Sequence, residues 1–226
     1  MLNRARGGAF HALAVNTAAL LSVFLFLTYY LQNNLGLSPV MTGLAFLPSP
    51  IVTALGATQD ATRLARRFGA RLVIPGGMAL AALGMVLLAQ LDAQSSYALG
   101  VVPGLVLMSF GLGSVTGLAM GTATAGVEPA DAGAAGAAVN AVQQVGGSLG
   151  AALLSTLAVS ATVEAMAGRP GTPQLAAAAA VHGYTTAFWI SAALLAIGAA
   201  VSGALLHSDS REHQVTDDAT APALLH

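Results

Sequence analysis

The chain has 226 residues and a mass of 22.4 kDa, with 56% hydrophobic residues, 8% charged residues and a mean hydropathy of +0.75. A soluble domain carries about 25% charged residues, so this composition excludes a water-wetted globular surface and points to a bilayer. The eight basic residues, all arginine, nearly balance nine acids and leave a net charge of -1, which excludes the concentrated basic face that nucleic acid demands, and the lack of cysteine excludes a disulfide framework, a thiolate metal site and a thiol nucleophile.

A membrane helix needs about 20 mostly apolar residues to cross a hydrocarbon core of about 30 Å. Six uncharged runs of that length follow one another, over 12–35, 41–59, 72–91, 97–127, 133–163 and 183–206. The predicted fold class is therefore all-α, an integral membrane six-helix bundle over residues 1–207. Residues 208–226 are polar and free of aromatics and read as a disordered cytoplasmic tail. No strand-like alternation suggests a β-barrel.

Arg4 and Arg6 precede the first run as in a signal peptide, but the apolar stretch is too long for that and lacks a small-residue cleavage site before Gln32. It reads as a retained helix, with Thr17, Phe24, Thr28 and Gln32 on one stripe and Ser22, Tyr29 and Asn33 on another. Thr28, Gln32 and Tyr29 are candidate substrate-cavity residues. Tyr29 and Tyr30 also lie where tyrosine anchors a helix at the outer interface. In the second run Pro48 and Pro50 remove backbone donors and predict a kink or a break, and Pro75 and Pro103 do so near the starts of the third and fourth. The fourth run carries Gly113, Gly117 and Gly121, a spacing that lets helix backbones approach closely.

The fifth run places Gly133, Gly136, Asn140, Gln143, Gln144, Gly147 and Ala151 at three- and four-residue steps on one face. Amides in hydrocarbon must find partners, so Asn140, Gln143 and Gln144 face either a neighbouring helix or a water-filled cavity. Trp189 in the sixth run is expected at the outer aromatic belt. His11, His207, His213 and His226 lie at or beyond the ends of the runs, and His182 beside an alanine-rich outer loop. No histidine spacing suggests a metal, and without lysine no phosphate-binding loop of the ATPase type exists, so no cofactor, no metal and no enzymatic site are expected. No acidic or basic side chain stands in the middle of a run, so a proton relay is not expected in these spans, and Glu164 and Asp60 read as solvated helix ends. With a cytoplasmic N-terminus, seven arginines fall inside and only Arg169 outside, which predicts that both termini are cytoplasmic.

The segments Phe26-Leu27-Thr28-Tyr29-Tyr30-Leu31-Gln32, Leu35-Gly36-Leu37-Ser38-Pro39 and Thr42-Gly43-Leu44-Ala45-Phe46-Leu47-Pro48 are followed by the basic stretch from Arg63 to Arg71. Val102-Pro103-Gly104-Leu105 through Gly113, then Glu128-Pro129-Ala130-Asp131-Ala132-Gly133, and Asn140 through Gln144 to Gly150, complete the series. In this order they resemble the C-terminal half of a major facilitator superfamily multidrug exporter of the fourteen-span drug/proton antiporter branch. The resemblance implies one half of a major facilitator fold, made of three-helix inverted repeats, with a lipophilic small-molecule substrate held between two halves and proton entry as the drive. It implies a coupling carboxylate in the other half, and a cytoplasmic gating loop comprising Asp60, Arg63, Arg67, Gly69 and Arg71, from whose usual pattern Gly56 and Asp60 stand displaced. The implied partners are the lipid bilayer, the substrate and an N-terminal half-transporter, and the implied location is the inner (plasma) membrane. Because Met1 stands just before the first matching helix, the N-terminal half is expected to be missing from this polypeptide. The rival expectation is a non-transporting membrane fragment, or a packing partner for a separate N-terminal half.

Overall fold

The computed structural model describes residues 4–60, 67–169 and 171–220, and of residues 4, 5, 59, 60 and 207–220 the backbone alone. Among the described residues every regular element is helical. Six helices are long and apolar enough to cross a membrane: Arg6–Asn34, Pro39–Thr58, Ala70–Leu88, Tyr97–Thr124, Pro129–Met166 and Pro173–Leu206. They are called here the first to sixth spans.

Local chemistry sets the boundaries. Ser38 caps the second span by accepting the Met41 N–H at 3.3 Å, and Pro39 follows at the position where a missing donor costs nothing. Pro48 has no N–H to give, the Leu47 N–H bonds Leu44 O at 3.1 Å, and the span is divided into Pro39–Phe46 and Pro48–Leu55. The sixth helix begins at Pro173, ten residues before the apolar run that hydropathy picks out, because the Thr172 hydroxyl accepts the Leu175 N–H at 3.3 Å and an alanine run follows. His182 consequently lies inside a helix, not beside a loop. The backbone of that helix continues to Thr220, so its last turns run through the part of 208–220 that composition alone assigns to a disordered tail. No glycine or proline interrupts the chain between Leu206 and Thr220.

The first and fourth spans pack side by side at the centre, the second lies against the fourth, and the fifth against the first. Behind them the third packs on the fourth and sixth, and the sixth on the first and fifth. Spans three apart in sequence thus hold like places, centre, edge and back, as two three-helix repeats would. Helices in lipid gain little from hydrophobic expulsion and associate by close backbone contact. A Cβ built on Gly104 would lie 2.9 Å from Gly84 O, one on Gly77 3.0 Å from Gly111 O and one on Gly117 2.8 Å from Ala57 O. A Cβ on Gly113 would collide with Thr53 O, whereas one on Gly121 meets nothing within 4 Å. Gly113 and Gly117 therefore stand at the seam with the second span, and Gly121 stands at no seam among the described residues.

Polar cross-links supplement these seams. Asn16, 2% exposed, donates from Nδ2 to Thr116 Oγ1 at 2.9 Å, joining the two central spans, and Ser49 and Ser109 share a hydroxyl hydrogen bond of 2.8 Å between the second and fourth. The Tyr97 hydroxyl donates to Ala45 O at 2.8 Å across the same pair.

Candidate functional site

The second and fifth spans are the least enclosed: 17% of the most apolar window of each is buried, against 50–56% in the first, third and fourth. The fifth span shows what its free surface is made of. One sector, with Gly146 and Gly150, sits on the first span, where a Cβ on Gly146 would lie 2.6 Å from Ala14 Cα and one on Gly150 would overlap Ala18. A second sector, with Val145, Leu149 and Leu153, is exposed and wholly apolar, as lipid requires. A third carries Asn140, Gln144 and Ser148 at four-residue steps, all exposed. Among the described residues neither Asn140 nor Gln144 has a hydrogen-bond partner. Gln143 is half-buried, one turn on from Asn140 and one turn from the Gly146 and Gly147 seam.

On the first span, Thr28 is half-buried and its hydroxyl donates to Phe24 O in the preceding turn. Phe24 is partly exposed and stacks on Phe46 of the second span at 4.9 Å, and Tyr29 stacks on Tyr184 of the sixth at 6.2 Å. Gln32 lies half-buried in the wide turn Tyr30–Asn34 that ends the span. Tyr30 differs from the interfacial anchor its position suggests: it is fully buried and its hydroxyl donates to Asp92 O at 2.7 Å. Two cavities of the chain lie away from the amide face. One, of about 480 Å³, runs between the third and sixth spans past Leu83, Val86 and Trp189; another, of about 340 Å³, lies between Arg169 and His182. Asn140 and Gln144 line neither, so their face is an open wall.

Of the loop implied in gating, the Asp60 side chain and all of Arg63 lie outside the described residues. Gly69 opens the third span at φ 76°, a backbone conformation that favours glycine, and Arg71 is exposed two residues on. Arg67 lies over the Phe68 ring at 5.7 Å. Three polar side-chain atoms are buried without a partner among the described residues: Asn16 Oδ1, Ser191 Oγ, and Nε2 of His11, a half-buried residue that lies inside the first span and not at its end. A lone amide or imidazole in an apolar run is the signal that marks the first and the last.

Six membrane-spanning helices in two like triplets, with an amide sector on one edge helix, define a helical membrane bundle of the kind built from three-helix repeats. The chain belongs to the Major Facilitator Superfamily, whose sequence profile matches residues 2–151. It is 40% identical over 220 residues to the puromycin resistance protein pur8 of Streptomyces alboniger, covering 96% of this chain and 44% of that one. It is similar to the cephamycin export protein CmcT of Amycolatopsis lactamdurans, 36% identical over 151 residues that cover 67% and 31% of the two chains. It also resembles the lincomycin resistance protein of Streptomyces lincolnensis, 34% identical over 160 residues, or 70% and 32%. The chain spans less than half the length of these relatives.

Proposed function

We propose that the chain is the C-terminal half of a proton-coupled exporter of lipophilic, drug-like compounds, of the fourteen-span antiporter branch, and forms one wall of a cavity completed by an N-terminal half. The observation that carries this reading is the division of the fifth span into a packed, an apolar and an amide sector. Lipid accepts the apolar sector, but amides without partners cost free energy in hydrocarbon, so Asn140 and Gln144 belong against water, substrate or a second half. Thr28, Gln32, Gln143 and the Tyr29 and Phe24 rings extend that wall, and aromatic faces suit a lipophilic cation. The arginine count supports a plasma-membrane protein with both termini in the cytoplasm, and in this reading the loop of Asp60, Arg63, Arg67, Gly69 and Arg71 lies there and gates the inner opening.

Puromycin, named in one relative, is the first compound to test. With the chain and a complementing N-terminal half in proteoliposomes, Asn140→Leu and Gln144→Leu should each lower puromycin accumulation about 3- to 10-fold, the worth of about one hydrogen bond. Thr156→Leu is the control, because that hydroxyl is already bonded to Ala152 O in its own helix at 2.9 Å. Equal and negligible effects of all three on transport and on assembly of the halves would place the amide face against lipid.

A further inference from the structure

Arg169 and His182 line the cavity of about 340 Å³ between the end of the fifth span and the start of the sixth, and the rest of its lining is alanine and Leu175. Both side chains are exposed, and among the described residues neither the guanidinium nor the imidazole has a hydrogen-bond or ion-pair partner. Glu164, the nearest acid in sequence, does not line the cavity. The cavity thus presents N–H donors and a positive charge, and no carboxylate.

Its depth is that of lipid headgroups. Tyr184, two residues on from His182, stacks on Tyr29 at 6.2 Å, and the neighbouring Tyr30 donates to Asp92 O, so His182 is level with the turn between the third and fourth spans. The first span runs about 36 Å from Arg6 to Tyr30, and the hydrocarbon is about 30 Å thick, so a bilayer centred between them ends just short of His182. Toward the midplane, the stripe of the sixth span that holds His182 continues at three- and four-residue steps through Thr186, Trp189, Ala193 and Ala196. The Thr186 hydroxyl donates to His182 O at 2.7 Å and is satisfied within the helix. Trp189, Ala193 and Ala196 wall the apolar groove of about 480 Å³ whose other side is the third span. That groove begins about 10 Å below His182 and ends about 21 Å below it, close to the midplane.

We propose that this stripe is a binding site for one phospholipid with an anionic headgroup, its phosphate held by Arg169 and His182 and an acyl chain laid past Trp189 in the groove between the third and sixth spans. The lipid belongs to the leaflet on the Asp92 side, the outer one in the orientation proposed above. A phosphodiester carries one negative charge and accepts from a guanidinium fork. An ammonium headgroup would need a carboxylate that the cavity lacks, so phosphatidylglycerol fits it better than phosphatidylethanolamine. The site lies against the two back spans, apart from Asn140 and Gln144, and does not rest on the exporter reading.

Trp189 is the only tryptophan of the chain, so its fluorescence reports the groove alone. The full chain is reconstituted in vesicles of phosphatidylethanolamine and phosphatidylglycerol in which one lipid carries dibrominated acyl chains, which quench tryptophan on contact. Brominated phosphatidylglycerol should reach half-maximal quenching at a mole fraction about 3- to 10-fold lower than brominated phosphatidylethanolamine does. Arg169→Gln should bring the two mole fractions together, and Arg169→Lys, which keeps the charge, should retain most of the difference and shows that the loop tolerates substitution. Equal mole fractions in the parent, a difference that survives Arg169→Gln, or its loss in Arg169→Lys would overturn the site. Weak quenching by both lipids would mean that a second copy or another helix covers Trp189, and relief of quenching by puromycin would give the groove to a drug; either outcome overturns the site as well.

Discussion

Asp92 holds the turn between the third and fourth spans. Its Oδ1 accepts the Gln94 N–H at 2.7 Å and the Ser95 hydroxyl at 2.9 Å, and Ser95 Oγ accepts the Asp92 N–H at 3.0 Å. The bond from the Gln94 N–H, followed by that from Ser95, holds the carboxyl below the usual carboxylate range. A carboxyl that ionises more readily when folded contributes stability above its unfolded pKa and loses it as pH falls through the lowered value. Asp92→Ala at neutral pH should therefore speed amide exchange at Gln94 and Ser95 by about 3- to 10-fold. The parent chain should lose this protection only below about pH 4, and equal exchange in the two proteins at pH 7 would show that the turn does not depend on the carboxylate. Tyr30 reaches the same turn from the first span, and its burial shows what helical spacing leaves open. Tyr29 and Tyr30 read alike in sequence, but about 100° of rotation separates neighbours on a helix, so one ring is 45% exposed and the other enclosed. Periodicity groups residues into stripes and does not say which stripe turns inward, so Asn16 escaped notice; His11 was placed at a run's end because the helix begins before the apolar run does.

The seams between helices depend on missing side chains more than on the side chains present. Gly113→Leu should destabilise the bundle by about 1–3 kcal/mol or more, because its Cβ meets the backbone of the second span, which has no rotamer to move. Gly121→Leu should change stability by less than about 0.5 kcal/mol, since open space and better helix propensity await it. Melting temperatures in one detergent compare the two, and equal losses would show that the series acts through backbone flexibility instead of contact. That all six spans exist was legible because transfer free energy sums over about 20 residues and survives local exceptions. Their edges were less so: the alanines from Ala176 to Ala180 are weak in hydropathy and strong in helix propensity, so the sixth helix outruns its apolar run. The amide face was legible as a set of steps, but seven residues at such steps fan across a wide arc. Gly147 ends in the seam with Leu21 and Thr17 while Asn140 and Gln144 clear it.

Contacts between span ends fix which loops lie on the same side. Tyr30 joins the end of the first span to the turn at Asp92, and Arg6 donates to Ala125 O, at the end of the fourth span, on the opposite side. The arginine count predicts the absolute orientation, and the cysteine-free chain permits a direct check. Cysteines at Ser38, Ser95 and Thr172 should label from outside intact cells, and those at Phe68 and Ala130 only after permeabilisation; the reverse pattern would invert the protein. The two central spans and two edge spans give this bundle one side with amides and no opposing wall, and accumulation against a gradient requires a site reachable from one side at a time. Each helix satisfies its own backbone, so the chain alone should still insert stably. Purified chain in proteoliposomes under an imposed proton gradient should therefore take up no more puromycin than protein-free vesicles, while co-reconstitution with a complementing N-terminal half restores uptake that a protonophore abolishes. Protonophore-sensitive accumulation by the chain alone would mean that two copies face each other across their amide walls, and the half-transporter reading would give way to a homodimer.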